Sequence, residues 1–329
     1  MTQEDSAYFP ISPLLLRATR KGEFDVWLRN KSGKYTLYTK RGSELTPDQK
    51  SKLFEYGIEL VYVSISQKGH YDRYIEHNLA QILEDDTLAL EVRGRVFYEH
   101  SADTLKSFFE KKIPLDKGVA TSVAKLVKAS IKMLSDPNSL RAVGRLMSHD
   151  YQTFSHSLQV YLYAMSLFKH RKESLSVSEE DLIQMGIGAM LHDIGKVKVP
   201  KGIITKPAKL DPQEWEIMKK HPIFGLGIAR QLSLSVLSLE SVILHHEKFN
   251  GKGYPNCLEG EEIPLFVRCV SIADVYDAIT AERPYAPAQD PRTALEIMTS
   301  GMKDSFDPSL LADFIRVLGG AGLAKVRGL

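Results

Sequence analysis

Little in this chain marks it for a specialised environment. Only two cysteines, Cys257 and Cys269, occur in 329 residues. They form neither a CxxC pair nor a disulfide framework, which points to reduced thiols and a cytoplasmic setting. No apolar run approaches the roughly 18–20 residues that a membrane-spanning helix needs. The opening MTQEDSAYFP carries acids where a secretory signal would have an apolar core. Neither sign of charge dominates: 43 Lys and Arg against 41 Asp and Glu leave a net +2. The chain as a whole therefore lacks the basic excess of a DNA or RNA binder. No internal repeat and no low-complexity linker interrupts it. What remains is ordinary globular composition, 43% hydrophobic and 26% charged, sufficient for one large domain or two.

Residues 23–64 read differently from the rest. EFDVWLRNKSGKYTLYTK sets aromatic and β-branched residues on either side of Ser32-Gly33, which predicts two strands and a turn. SELTPDQKSKLFEYG predicts a helix capped by Thr46, opened by Pro47 and stopped at Gly57. IELVYVSI predicts a third strand. These make a small N-terminal α/β domain of ββαβ type, residues 1–66, with no histidine cluster and no Gly-rich phosphate loop. A sensory or partner-binding role is the expectation for it.

Beyond Gln67 the periodicity is helical. Leu79, Ile82, Leu83 and Leu90 suit one helix, within a connector and first bundle helices over 67–138. Lysines 111, 112, 117, 125, 128 and 132 alternate with apolar positions at helical spacing and read as a solvated face. The fold class expected is mainly α: an all-α bundle over 139–329 behind the small α/β domain.

The bundle half carries histidines. Phe154, Leu158, Tyr161, Leu162 and Met165 form an apolar stripe, and His156 sits off it. Ser178 with Asp181, and Asp211-Pro212 with Glu214, are capping-box starts. PQEWEIMKKHP is expected to end at His221, before Pro222. LHDIGKVKVP ends an apolar run on His192 and Asp193 and turns through Gly195 to Lys196 and Lys198. HHEKFNGKGYP ends a helix on His245 and His246 and continues through two glycines that permit positive φ and close backbone approach. IPLFVRCVSIADVYDAITAERPY predicts a long helix with Asp274 and Asp277 near one face. Imidazole and carboxylate together suit first-row divalent metals. Five histidines and two aspartates are too many for one open site and about right for two ions that clamp a phosphoryl displacement.

In this order and spacing LHDIGKVKVP, HHEKFNGKGYP and IADVYDAITAERPY resemble the HD-GYP family, the HD phosphohydrolases that degrade cyclic di-GMP. TFSHSLQV, ITKPAKLDPQEW, KKHPIFG, GEEIPL and FDPSLL match it too, so the resemblance covers roughly Ser148 to Leu318. It implies that His156, His192, Asp193 and Asp274 hold one metal. Asp193 would bridge to a second metal held by His221, His245 and His246. Lys196 would face a substrate phosphate, as charge stabiliser and proton donor, and Arg283 would hold a phosphate. Gly253, Tyr254 and Pro255 would form a loop beside the site that also meets diguanylate cyclase (GGDEF) partners. The cofactors implied are two divalent ions, iron first and manganese second. The activity implied is hydrolysis of cyclic di-GMP to pGpG, and on to GMP in a second round, by a hydroxide bridging the ions.

Two positions depart from the family pattern. Gln152 stands where some members carry a glutamate that binds a third metal, which leaves two metals expected here. Ala286 stands where a basic residue usually follows RPY, with Lys198 and Lys201 as the nearest substitutes. Two alternatives therefore stand beside the enzyme reading: a slow or inactive receptor or docking module, and a phosphodiesterase for another cyclic dinucleotide.

Overall fold

Alternation of aromatic and β-branched residues builds the N-terminal sheet. In the computed structural model, which describes residues 7–17, 21–30, 32–110, 115–136, 138–144, 147, 153–171, 176–282 and 287–320, four antiparallel strands run in the order β1-β4-β2-β3. They are β1 (Tyr8–Ile11), β2 (Val26–Arg29), β3 (Tyr35–Thr39) and β4 (Val61–Ser64). Helix α1 (Pro47–Glu55) lies between β3 and β4, and Thr46 and Gln49 close a reciprocal capping box at its start. The ββαβ order is present, with β1 added in front. Pro10 removes a ladder donor and argues against a strand; it is accommodated because, among the described residues, β1 lies at the sheet's edge beside β4.

The chain divides into two compact units, residues 1–88 and 89–329. The division falls inside the expected connector, so α2 (Lys68–Glu84) counts with the sheet. The helix expected to run through Leu90 stops at Asp85. The Asp85 carboxylate accepts from the Thr87 backbone N–H at 3.0 Å and from its hydroxyl, an Asx-type turn that competes with helix continuation. Leu90 opens α3 instead.

The second unit is a helical bundle. Its elements are α3 (Leu90–Phe109), α4 (Lys117–Met133), α5 (Ser139–Gly144), α6 (Thr153–Arg171), α7 (Glu179–Leu191), α8 (Lys201–Ile204), α9 (Pro212–Met218), α10 (His221–Gln231), α11 (Val236–Leu244), α12 (Leu265–Thr280), α13 (Pro291–Glu296) and α14 (Pro308–Gly320). Helix α6 is the axis. Residues 155–165 are all buried, and α3, α5, α7, α12 and α14 pack around it. A helix buried on every side belongs at a bundle centre. Lys117, Lys125, Lys128 and Lys132 are exposed on α4, as expected of a solvated face, while Lys111 and Lys112 lie outside the described residues.

Two helix boundaries differ from expectation. His221 starts α10 and does not end α9. Pro222 then falls in the first turn, where its missing N–H has no partner to lose. Helix α12 ends at Thr280, where Ala281 turns extended. Among the described residues no helix is long and apolar enough to cross a membrane.

Candidate metal centre

Four helix ends and two helix interiors of the bundle converge on one point. His156 comes from the first turn and a half of α6, and Asp274 from the third turn of α12. His192 caps the C-terminus of α7, and Asp193 opens the 3-10 turn Ile194–Lys198 that follows. His221 is the first residue of α10, His245 caps α11, and His246 follows it.

The rings are oriented by their outer nitrogens. His192 Nδ1 donates to the Ala189 carbonyl at 2.8 Å and His221 Nδ1 to the Met218 carbonyl at 2.8 Å. His245 Nδ1 shares its proton between the Ser241 and Val242 carbonyls, 3.1 Å from each. The Ala189 and Val242 carbonyls are among the C-terminal helix carbonyls that lack an intrahelical partner. A carbonyl only accepts, so each Nδ1 carries a proton, and in that tautomer a ring turns its Nε2 lone pair inward. His156 Nδ1 is turned away from the centre as well, 2.7 Å from Asp277 Oδ2.

Inward, Asp193 is the hub. Its Oδ2 lies 3.5 Å from both His156 Nε2 and His192 Nε2, and its Oδ1 lies 3.2 Å from His221 Nε2 and 3.8 Å from His245 Nε2. One carboxylate thus faces two different histidine sets with its two oxygens. Asp274 Oδ1 is 3.0 Å from His156 Nε2, and its Oδ2 is 3.6 Å from His246 Nδ1. Donor atoms within 4.8 Å of one another group as His156, His192 and Asp274; His192, Asp193 and His245; and His221, His245 and His246.

These groups are buried, which sets their charge states. Burial alone would raise the Asp193 carboxyl; the Lys196 ammonium and the His192 ring overcome it and hold Asp193 well below the usual carboxylate range. Burial acts the same way on Asp274, and the facing rings of His156 and His246 outweigh it, so it too is held well below the usual carboxylate range. Burial, then the neighbouring rings of His246, His192 and His221, push the His245 imidazole well below its ordinary value, so it stays neutral. Ionised carboxylates and neutral imidazoles are the forms that bind metal.

A cation fits here on the evidence of the donor atoms themselves. His192 Nε2 and Asp193 Oδ1 are buried without a hydrogen-bond partner among the described residues, which is costly unless something else satisfies them. His221 Nε2 and His245 Nε2 stand 3.1 Å apart. With both rings protonated at Nδ1, that contact sets lone pair against lone pair, an arrangement a shared positive charge resolves.

Close backbone approach holds this arrangement. A Cβ on Gly195 would lie 1.9 Å from the His221 carbonyl oxygen and 2.4 Å from the Gly225 nitrogen. The 3-10 turn can press against α10, and set Asp193 beside His221, only because residue 195 has no side chain. Lys196, one residue on, reaches back to Asp193 Oδ2 at 2.5 Å.

The loop Gly251–Leu258 covers the His246 side. Gly251 has φ +72°, the left-handed conformation expected of it. Gly253 does not; it is a close-approach glycine, and a Cβ there would be 2.4 Å from the Lys248 nitrogen. The Tyr254 ring lies 4.8 Å from the His246 ring, and burial pushes its phenol up. Gly253, Tyr254 and Pro255 therefore sit beside the histidines. Arg283, Ala286 and Gln152 lie outside the described residues.

Two residues with roles here had gone unassigned in the sequence. Asp277, behind His156, was marked only by its spacing from Asp274. Glu247, 1% exposed, accepts from the backbone N–H groups of Asn256 at 2.6 Å and Leu258 at 3.2 Å, and no local signal separates it from an ordinary loop acid. Glu247→Gln replaces one of those acceptors with a donor. The expected result is a loss of about 1–3 kcal/mol with faster hydrogen exchange at Asn256 and Leu258, and unchanged exchange in α6.

The family model described as HD domain matches residues 141–310. A cyclic di-GMP phosphodiesterase of Pseudomonas aeruginosa, PA4108, is 33% identical over 209 residues, 62% of this chain and 48% of that protein. The 3'3'-cGAMP-specific phosphodiesterase 2 of Vibrio cholerae is 39% identical over 163 residues, 49% of this chain and 30% of that protein. Among solved structures, Bd1817, a HDG"Y"P protein from Bdellovibrio bacteriovorus, superposes with a TM-score of 0.64 at 18% identity over 95% of this chain and 99% of that one, a likeness of fold. The chain belongs to the HD domain family, in its HD-GYP branch. It spans about half the length of the first of these relatives and less than a third of the second.

Proposed function

We propose that the chain is a metal-dependent phosphodiesterase of cyclic dinucleotides, with cyclic di-GMP as substrate and pGpG as first product. The observation that carries this reading is the convergence of four inward-facing Nε2 atoms on the two oxygens of one buried aspartate. The relatives' activities support the substrate class.

The split of Asp193 favours two ions. His156, His192, Asp193 and Asp274 would hold one, and Asp193, His221, His245 and His246 the other. The mixed imidazole and carboxylate donors suit iron first and manganese second. Bound divalent ions supply polarisation of a phosphoryl oxygen and acidification of a water.

The chain's own groups do the rest. Lys196 holds positive charge at the rim, where a scissile phosphate meets Asp193, and is placed to give a proton to the leaving oxygen. Its side chain is 15% exposed, so substrate can reach it. Tyr254 packs over the His246 ring. Arg283, by the family pattern, takes the second phosphate through its planar fork. The Gly253–Pro255 loop is the docking point for a diguanylate cyclase partner in this reading, and a cytoplasmic setting belongs to it too.

Lys196→Met is expected to lower kcat by roughly 10²- to 10³-fold while metal content stays at the wild-type value. Elemental analysis beside product chromatography reads both. A second substrate has support of its own, since relatives 36% and 39% identical are 3'3'-cGAMP-specific phosphodiesterases. Parallel assays with the two nucleotides decide between them by the ratio of kcat/KM.

A further inference from the structure

We infer that Asp277 is a positioning residue for the metal centre. It fixes the proton of His156 on the outer nitrogen and so keeps the inner one available as a ligand. The inference rests on the metal-binding reading above and extends it to a residue outside the ligand set.

Two carboxylates compete for a single proton. A neutral imidazole carries one N–H, and His156 lies between two carboxylates. Asp277 Oδ2 is 2.7 Å from its Nδ1, and Asp274 Oδ1 is 3.0 Å from its Nε2. If the proton sat on Nε2, His156 would donate to Asp274. That bond would occupy the ring's inward nitrogen and an Asp274 oxygen together. The other three inward-facing rings are held by backbone carbonyls at helix ends. His156 lies within α6 and takes its outer acceptor from another element, the Asp277 carboxylate on α12. Asp277 is 2% exposed, so little water competes for that bond. A carboxylate behind a histidine also raises the basicity of the far nitrogen, and loss of such a partner costs about 10- to 100-fold in metal affinity.

Asp277 lines a cavity of about 410 Å³ together with Gln159, Tyr163, Tyr276 and Thr280. A small carboxylate can enter it when the Asp277 side chain is shortened.

The test compares full-length wild type, Asp277→Asn and Asp277→Ala. Metal-free proteins are titrated with Mn²⁺, and ¹⁵N NMR of the histidine rings reads the tautomer of His156. Thermal melting checks that each variant is folded. The expected wild-type result is Nδ1–H on His156 and binding of about two Mn²⁺ per chain. Asp277→Asn keeps the size of the side chain but not its charge. It is expected to weaken one Mn²⁺ roughly 10- to 100-fold and leave the other unchanged. In Asp277→Ala the His156 proton moves to Nε2, and formate, unlike chloride, restores the weakened ion.

Nε2–H on His156 in the wild type, or equal affinity for both ions in Asp277→Asn, would overturn the inference and leave the metal reading standing. A wild type with Nδ1–H that binds no Mn²⁺ would overturn the metal reading instead. A loss in Asp277→Ala that formate does not reverse, with His156 still protonated at Nδ1, would reduce Asp277 to a packing role.

Discussion

Asp193→Asn is expected to abolish turnover to below about one part in 10³ and to leave the protein with less than half its metal. Each tenfold loss is 1.36 kcal/mol of barrier, so the expected loss is about 4 kcal/mol or more. The reason is the position of this carboxylate. Its two oxygens serve two histidine sets, and its negative charge balances Lys196 at 2.5 Å. Asparagine keeps the shape but carries no charge, and one of its two terminal atoms is a donor aimed at imidazole lone pairs. Both ion sites suffer together, in contrast to Asp277→Asn, which touches one. Elemental analysis and product chromatography on the same preparation check this. Wild-type metal content in Asp193→Asn would contradict the assignment of Asp193 as the shared ligand.

Gly195→Ala is expected to have an effect of similar size on activity by a different route. The added methyl would meet the His221 carbonyl at 1.9 Å and the Gly225 nitrogen at 2.4 Å. Both contacts are with backbone, so no side chain can swing aside. The 3-10 turn and α10 must separate, and Asp193 then leaves His221. Overpacking of this kind costs about 3 kcal/mol. For a unit of this size that is a fall in Tm of roughly 6–12 °C, with lower bound metal by elemental analysis. Gly227→Ala is the control on the same helix. Nothing lies within 4 Å of a Cβ there, and alanine favours a helix over glycine by about 1 kcal/mol. Its expected result is unchanged metal and equal or higher Tm. If both substitutions behaved alike, close packing at Gly195 would not be what holds the site.

The local signals were the legible part of this protein. Caps at Thr46, Ser178 and Asp211 lie within three residues of their partners, and the structure places helix starts at each. Adjacent pairs such as His192-Asp193 and His245-His246 announce themselves by adjacency at the end of an apolar run. What failed to read was whatever depends on distant partners or on strand position. Strand β1 was hidden by Pro10, because only the sheet's order shows that this strand is an edge. The place of His221 at the start of α10 is not legible locally, since a following proline fits both the end of one helix and the first turn of the next. Asp277 finds its partner 121 positions away. Glu247 accepts from backbone groups nine and eleven residues ahead, in a loop whose path no periodicity describes.

The measurement that tests the central claim most directly joins metal content to product in one preparation. The protein is purified without oxygen, its metals are counted, and it is incubated with cyclic di-GMP before and after removal of metal by a chelator. The expected result is about two divalent ions per chain, formation of pGpG, loss of that activity on chelation, and its return with Fe²⁺ or Mn²⁺. Undiminished hydrolysis by the metal-depleted protein would contradict the account. So would a fully loaded protein that leaves both cyclic di-GMP and 3'3'-cGAMP intact.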